Sequence, residues 1–162
     1  MLKLIGIILL SGAVSMYGAF AASNISTAGR QRKAVISLMY AVKNGIEYGG
    51  TALDEIFANF ESTELEKCGF LKMLQEKVPC ALENALKSQG LLIGDREKAL
   101  FTEFAVKCGK SPFADGEKKL CERYIALAEN LDASLSADEK AKCELYRRLG
   151  VLCGLFSALI LL

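Results

Sequence analysis

Hydrophobic and polar positions divide this chain into two charge-free ends and a charged middle. Leu4 to Ala22 reads LIGIILLSGAVSMYGAFAA, 19 residues without a charge, and Leu149 to Leu162 reads LGVLCGLFSALILL, 14 residues without one. Between them, apolar positions recur at the spacing of helices that bury one face. Thr27 to Tyr48 places Val35, Leu38, Met39, Val42 and Ile46 on one stripe, and Gly49-Gly50 ends it. Thr51 to Phe60 predicts a short helix with Leu53, Ile56 and Phe57 inward. Thr63 and Glu66 have capping-box spacing for a helix carrying Leu65, Phe70, Leu71, Leu74 and Val78. Pro79 kinks that helix or starts another through Cys80-Ala81-Leu82. After a break at Gly90–Gly94, Asp95 reads as the N-cap of a helix running to Cys108, with Leu100, Phe101, Phe104 and Val106 on it. Gly109 stops that helix, and Ser111-Pro112 suits a turn or a new start. From Glu117 to Gly150 there is no intervening glycine or proline, and Leu120, Tyr124, Leu127, Leu131, Leu135, Leu145 and Leu149 fall near one face. This predicts one long helix running into the second apolar end, with Ser136 and Glu139 offering an alternative cap for a separate helix. No strand alternation appears, so the expected fold is all-α, a helical bundle between two apolar helices.

The first apolar run is long enough to cross a hydrocarbon core of about 30 Å at about 1.5 Å per residue. A cleavable signal peptide competes, with Lys3 as its basic start and Ala19-Phe20-Ala21 as a cleavage site. The second run reaches only about 21 Å. It can insert if Tyr146, Arg147 and Arg148 anchor at the interface and the bilayer thins. A soluble core helix competes there, but such a helix usually keeps a polar stripe, and this run has none. Basic residues flank the middle: Arg30, Arg32 and Lys33 after the first run, and Lys140, Lys142, Arg147 and Arg148 before the second. The positive-inside rule then predicts a transmembrane helix at 1–22, a cytoplasmic helical domain at 23–148 and a short transmembrane helix at 149–162, with both ends outside. Gly150 and Gly154 form a GxxxG pair, and Ser11, Ser15 and Ala19 repeat every four residues, which allows close helix pairing in lipid.

Charge changes the picture by exclusion. All 19 acidic residues lie between Glu47 and Glu144, and only Lys3 of the 20 basic residues lies outside 23–148. The middle is thus near neutral, which argues against a nucleic-acid partner. The chain has no histidine, which removes the usual general base and the commonest zinc ligand. Its six cysteines, Cys68, Cys80, Cys108, Cys121, Cys143 and Cys153, form no CxxC pair. Most of them read as buried or half-buried thiols in a reducing compartment, with a disulfide framework in a secreted protein as the competing reading. There is no P-loop and no GxSxG elbow. Glu103, among Phe101, Phe104 and Val106, reads as a partly buried structural ion pair. Cys108 would be reactive only beside a cation, and Lys107 and Lys110 are neighbours in sequence alone. No catalytic, cofactor or metal site is expected.

Three segments carry a resemblance. Lys142 to Leu155, KCELYRRLGVLCGL, is similar to the closing pattern of the stage III sporulation protein AB family of endospore-forming bacteria. Ile46 to Leu53, IEYGGTAL, resembles a second family segment, with Ala52 where the family usually has proline and Gly45 where it often has glutamate. Glu103-Phe104 followed by Gly109 and Ser111 is a third, with Pro112 in place of an aspartate. The resemblance covers nearly the whole chain. It implies a non-catalytic platform subunit of a secretion-like membrane complex between mother cell and forespore, sited in the mother-cell membrane. A secretion-type ATPase and the complex's other membrane subunits are the implied partners, beside the lipid bilayer. A homo-oligomer is compatible with the small-residue stripe. Within this frame Tyr48, Gly49 and Thr51 form a helix-to-helix corner, with Tyr48 expected to pack into the bundle. Tyr146, Arg147 and Arg148 are expected at lipid headgroups, and Gly150 and Gly154 in a helix contact.

Overall fold

The computed structural model describes residues 2–49, 51–76, 80–110 and 113–161 and, among these, the side chains of all but 2–5, 7–10, 49, 158 and 161. Among the described residues seven α-helices follow in order: α1 (Leu2–Asn44), α2 (Leu53–Asn59), α3 (Thr63–Lys67), α4 (Phe70–Gln75), α5 (Ala81–Leu86), α6 (Asp95–Lys107) and α7 (Ala114–Leu161). A π-helical turn, Gly45–Gly49, extends α1. Among the described residues there is no strand, so the expected all-α class holds. Contacts divide the chain into two units, Ala28–Ser134 and Met1–Thr27 with Leu135–Leu162.

In the 28–134 unit the expected α1 stripe is the centre of the core. Val35, Leu38, Met39 and Val42 are all at most 2% exposed, and Ile46 packs against them part-buried. Ile56 and Phe57 of α2, Leu65 of α3, Phe70, Leu71 and Leu74 of α4, and Leu82 and Leu86 of α5 close around that stripe. From α6, Phe101 and Phe104 point inward, while Val106 is exposed. Phe104 meets Tyr124 of α7 with ring centroids 5.9 Å apart and planes tilted by 54°, an edge-biased geometry that suits the ring quadrupoles.

Several local expectations need correction. The helix expected over 63–78 is broken at Gly69, which takes φ +77 between α3 and α4. That conformation costs glycine little, and other residues more. Thr63 does not cap α3. Ser62 stands at that position without a side-chain bond, and Glu66 is exposed. Gly94, not Asp95, precedes α6, and its N–H donates to Glu97 Oε2 at 2.5 Å. Lys107 is the last residue of α6, and Gly109 follows at φ +79. On α7 the inward face is Cys121, Tyr124, Ile125 and Ala128, and Leu127 is 43% exposed. Of the expected stripe, Tyr124 is buried and Leu120 packs against the core, whereas Leu127, Leu145 and Leu149 are exposed. The helix runs unbroken through Ser134–Ser136, so the separate cap at Ser136 does not form. Gly50, Val78, Pro79, Ser111 and Pro112 lie outside the described residues.

The other unit pairs the first part of α1 with the last part of α7. Gly18, Ala22, Gly150 and Gly154 are buried there. Met16, Tyr17 and Phe20 of α1 and Leu152, Leu155, Phe156, Leu159 and Ile160 of α7 are between 49% and 80% exposed. Among the described residues no helix is long and apolar enough to cross a membrane. The side chains of residues 4, 5 and 7–10, in the first expected span, lie outside that description.

Candidate functional site

Two arrangements stand out, one in each unit. The first is an antiparallel seam of small residues. Gly150 lies against Gly18 and Ser15, so that a Cβ on Gly150 would meet Gly18 Cα at 3.0 Å and Ser15 O at 3.1 Å. A Cβ on Gly18 would meet Gly150 Cα and Tyr146 O, each at 2.7 Å. These are backbone atoms, so no side chain can swing aside. Gly154 packs on Ser15 Oγ and on Ser11 O, the latter 2.9 Å from a Cβ there. Further along, the Cys143 thiol donates to Ala22 O at 3.2 Å. The seam hydroxyls are satisfied within their own helices: Ser15 Oγ donates to Ser11 O at 3.0 Å and Ser157 Oγ to Gly154 O at 2.8 Å. The seam hydroxyls thus bond back to their own helices, while large apolar side chains point out. Gly150 and Gly154 both lie in this contact. On α1 it uses Ser11 and Ser15 of the expected stripe together with Gly18 and Ala22, while Ala19 faces outward.

The second arrangement is a buried ion cluster in the 28–134 unit. Arg32 is 1% exposed. Its guanidinium donates to Glu97 Oε1 at 2.7 Å and to Asp132 Oδ1 at 2.6 Å. Glu97, 5% exposed, also accepts the Gly94 N–H. Beside it, Gln31 uses both ends of its amide, donating to Gly90 O at 3.1 Å and accepting from Leu92 N–H at 2.7 Å. Residues 31–32 therefore fasten the 90–94 loop, α6 and α7 to α1. Charge pattern alone takes Arg32 for one of three flanking charges. Only burial separates it from Arg30, which pairs with Glu64 at 3.2 Å, and from exposed Lys33.

Further pairs follow α1 against α7 in the same unit. Tyr40 donates to Glu129 at 2.7 Å, Lys43 pairs with Glu122 at 3.1 Å, and Glu47 with Lys118 at 2.6 Å. The hydrogen bond from Lys118 holds the Glu47 carboxyl below the usual carboxylate range, and the bond to Glu129 holds the Tyr40 hydroxyl above its usual value. Tyr48 does not pack the corner. It is 82% exposed, because the π-helical turn rotates it off the buried stripe. Gly49 closes that turn, and the Thr51 N–H donates to Gly45 O at 3.2 Å. The tight position is Gly45, where a Cβ would meet Ile56 Cγ1 at 2.8 Å.

Glu103 is exposed and pairs with Lys107 at 2.6 Å. Lys107 also donates to the Tyr124 hydroxyl at 2.8 Å, and its bond to Glu103 lowers that carboxyl's pKa. A hydrogen bond with the Cys121 thiol, and then burial, push the Cys108 thiol well up. That is the opposite of activation. All six cysteines are free thiols. Tyr146, Arg147 and Arg148 are exposed, with Arg148 paired to Glu144 one turn earlier.

The family model for stage III sporulation protein AB matches residues 3–162. The chain belongs to the stage III sporulation protein AB family. The match spans both apolar ends and the whole middle, so the seam and the ion cluster both lie inside the family region. No curated protein and no solved structure matches this chain. Among the described residues no three histidine, cysteine, aspartate or glutamate side chains converge as a metal site would need.

Proposed function

We propose that this family member is a non-catalytic membrane platform of a sporulation-specific, secretion-like complex between mother cell and forespore. In this reading the two apolar ends cross the mother-cell membrane, and the middle of the chain faces the cytoplasm. There it offers a helical surface to a secretion-type ATPase and to the complex's other membrane subunits. The observation that carries the reading is the outward apolar surface of the helix pair. Nine large side chains, Met16, Tyr17, Phe20, Leu145, Leu152, Leu155, Phe156, Leu159 and Ile160, are each about half or more exposed. Apolar surface in contact with water costs about 25 cal/mol per Å² relative to burial, and so many exposed apolar side chains on one helix pair mark a membrane or protein contact. The polar bonds of the seam favour lipid as the medium. The ion cluster ties α1 to α6 and α7 within its unit, which suits a part whose task is to hold others.

The test is thiol accessibility in intact sporulating cells, with Cys80 as the sole cysteine. Cys80 is exposed, whereas Cys121 is fully buried and would report nothing. A membrane-impermeant maleimide is expected to label Cys80 only after lysis, with full-length protein in the membrane fraction. Labelling of intact cells, or a product shortened near Ala21, would overturn the topology and favour a secreted protein.

A further inference from the structure

We infer that Cys108 and Cys121 form an oxidisable dithiol, which a low-molecular-weight aminothiol disulfide entering the cavity beside Cys108 converts to a disulfide between the end of α6 and α7. Neither thiol has a part in the platform reading, and the chemistry needs no membrane. Two attachments set the register of the two segments. Phe104 and Lys107 both reach Tyr124, by ring centroids 5.9 Å apart and by a hydrogen bond of 2.8 Å. Just past α6, the Gly109 N–H donates to Glu117 at 2.6 Å. Cys108 lies between these attachments on one segment. On α7 Cys121 lies between them too, one turn after Glu117 and one turn before Tyr124. Both cysteines thus meet at the core, and their thiols share a hydrogen bond. A disulfide needs its two Cβ atoms about 4 Å apart, so thiols already in contact need only a small further approach.

Cys121 is fully buried and cannot meet a reagent first. Cys108 can, because it lines a cavity of about 590 Å³ with Phe57, Val106 and the exposed Cys80. That volume suits a small ligand. Asp54 and Glu83 line the same cavity against Lys110, so its charge favours a cationic disulfide. The Cys108 sulfur gives up its proton, attacks one sulfur of the small disulfide and breaks that S–S bond, releasing one small thiol. Cys121 then attacks the Cys108 sulfur of the mixed disulfide, and its own proton leaves with the second small thiol. The two protein thiols are oxidised to one disulfide, the small disulfide is reduced to two thiols, and both protons end on those thiols. The neighbouring thiol and burial hold the Cys108 thiol up, so the first step is slow. The pair therefore follows the sustained redox state around it and stays a dithiol where thiols are kept reduced. Once closed, the link loops the chain from 108 to 121, which stabilises the fold by restricting the unfolded chain.

The full-length chain with all its cysteines is incubated in detergent with cystamine, blocked with maleimide in denaturant and digested with trypsin without reduction. Mass spectrometry is expected to find Cys108-Gly109-Lys110 joined to Leu120-Cys121-Glu122-Arg123, as the most abundant link between any two of the six cysteines. Treatment with cystamine in urea should remove that preference. The oxidised protein is expected to unfold about 10 °C higher, a rise that dithiothreitol reverses and that Cys121→Ala, treated in the same way, does not show. If Cys108 and Cys121 both still take maleimide after cystamine has capped Cys80, the proposal is overturned. A lasting mixed disulfide on Cys108 beside a free Cys121 overturns it as well, and so does a dominant link from Cys108 to Cys80.

Discussion

Replacing Arg32 with methionine removes the central charge of the buried cluster and keeps much of its apolar stem. The magnitude follows from the geometry. Arg32 is 1% exposed and makes charge-assisted bonds of 2.7 and 2.6 Å to Glu97 and Asp132, whose side chains are only 7% and 19% exposed. Arg32→Met leaves Glu97 with the Gly94 N–H as its remaining hydrogen-bond donor. Removing one partner of a buried pair costs about 3–5 kcal/mol, mostly because the opposite charge stays buried and unpaired. Part of this returns as Asp132 turns toward water, so a loss of about 3 kcal/mol is expected. For a unit of this size that lowers Tm by about 15 °C. The assay is thermal unfolding of the full-length protein in detergent, followed by far-ultraviolet circular dichroism. If the orphaned carboxylates cause the loss, adding Glu97→Gln and Asp132→Asn to Arg32→Met should restore about half of it. A single variant within about 1 kcal/mol of the parent, or a triple variant no more stable than the single, would refute the argument.

Three further outcomes are expected. Gly18→Val sets a branched side chain against the backbone of Gly150 and Tyr146, so it should separate the seam. In Ala22→Cys, the new thiol should crosslink readily to Cys143 under mild oxidation, and adding Gly18→Val should abolish that crosslink. Glu47 is held below its ordinary pKa by Lys118, so its contribution is present above about pH 4.3 and is lost as pH falls through the lowered value. Glu47→Gln should therefore flatten the acid limb of the stability–pH profile and leave the profile near neutral pH with the same slope. Among the thiols of the 28–134 unit, maleimide should modify Cys80 first, and Cys108 and Cys121 far more slowly. Cys121 is fully buried and the Cys108 thiol is pushed up by its neighbour and by burial. Equal rates would show that these two are not packed as described.

Helical periodicity made much of the fold legible. The stripe Val35–Leu38–Met39–Val42 and the unbroken last helix can be read directly, because a 3.6-residue repeat needs nothing but the chain itself. The break at Gly69 is harder, since glycine within a helical pattern reads equally as a tolerated weak point. The outward turn of Tyr48 depends on a π-helical turn, for which periodicity has no signal. On α7 the expected face is right at Leu120 and Tyr124 but offset at Leu127. Small residues, Cys121 and Ala128, occupy the face that α1 approaches, and the leucines flank it.

For the sites the division is sharper. The sequence by itself determined the family, the all-helical class, the two apolar ends and the glycine pair Gly150/Gly154, all of which are local in the chain. Tertiary structure alone decided that Arg32 is not one more flanking cation. Its partners lie 65 and 100 residues away, and no local rule separates a buried arginine from its exposed neighbours. It also decided which residues of the two apolar ends meet. Each run has a length of its own, but their register comes from which small residues let the backbones touch.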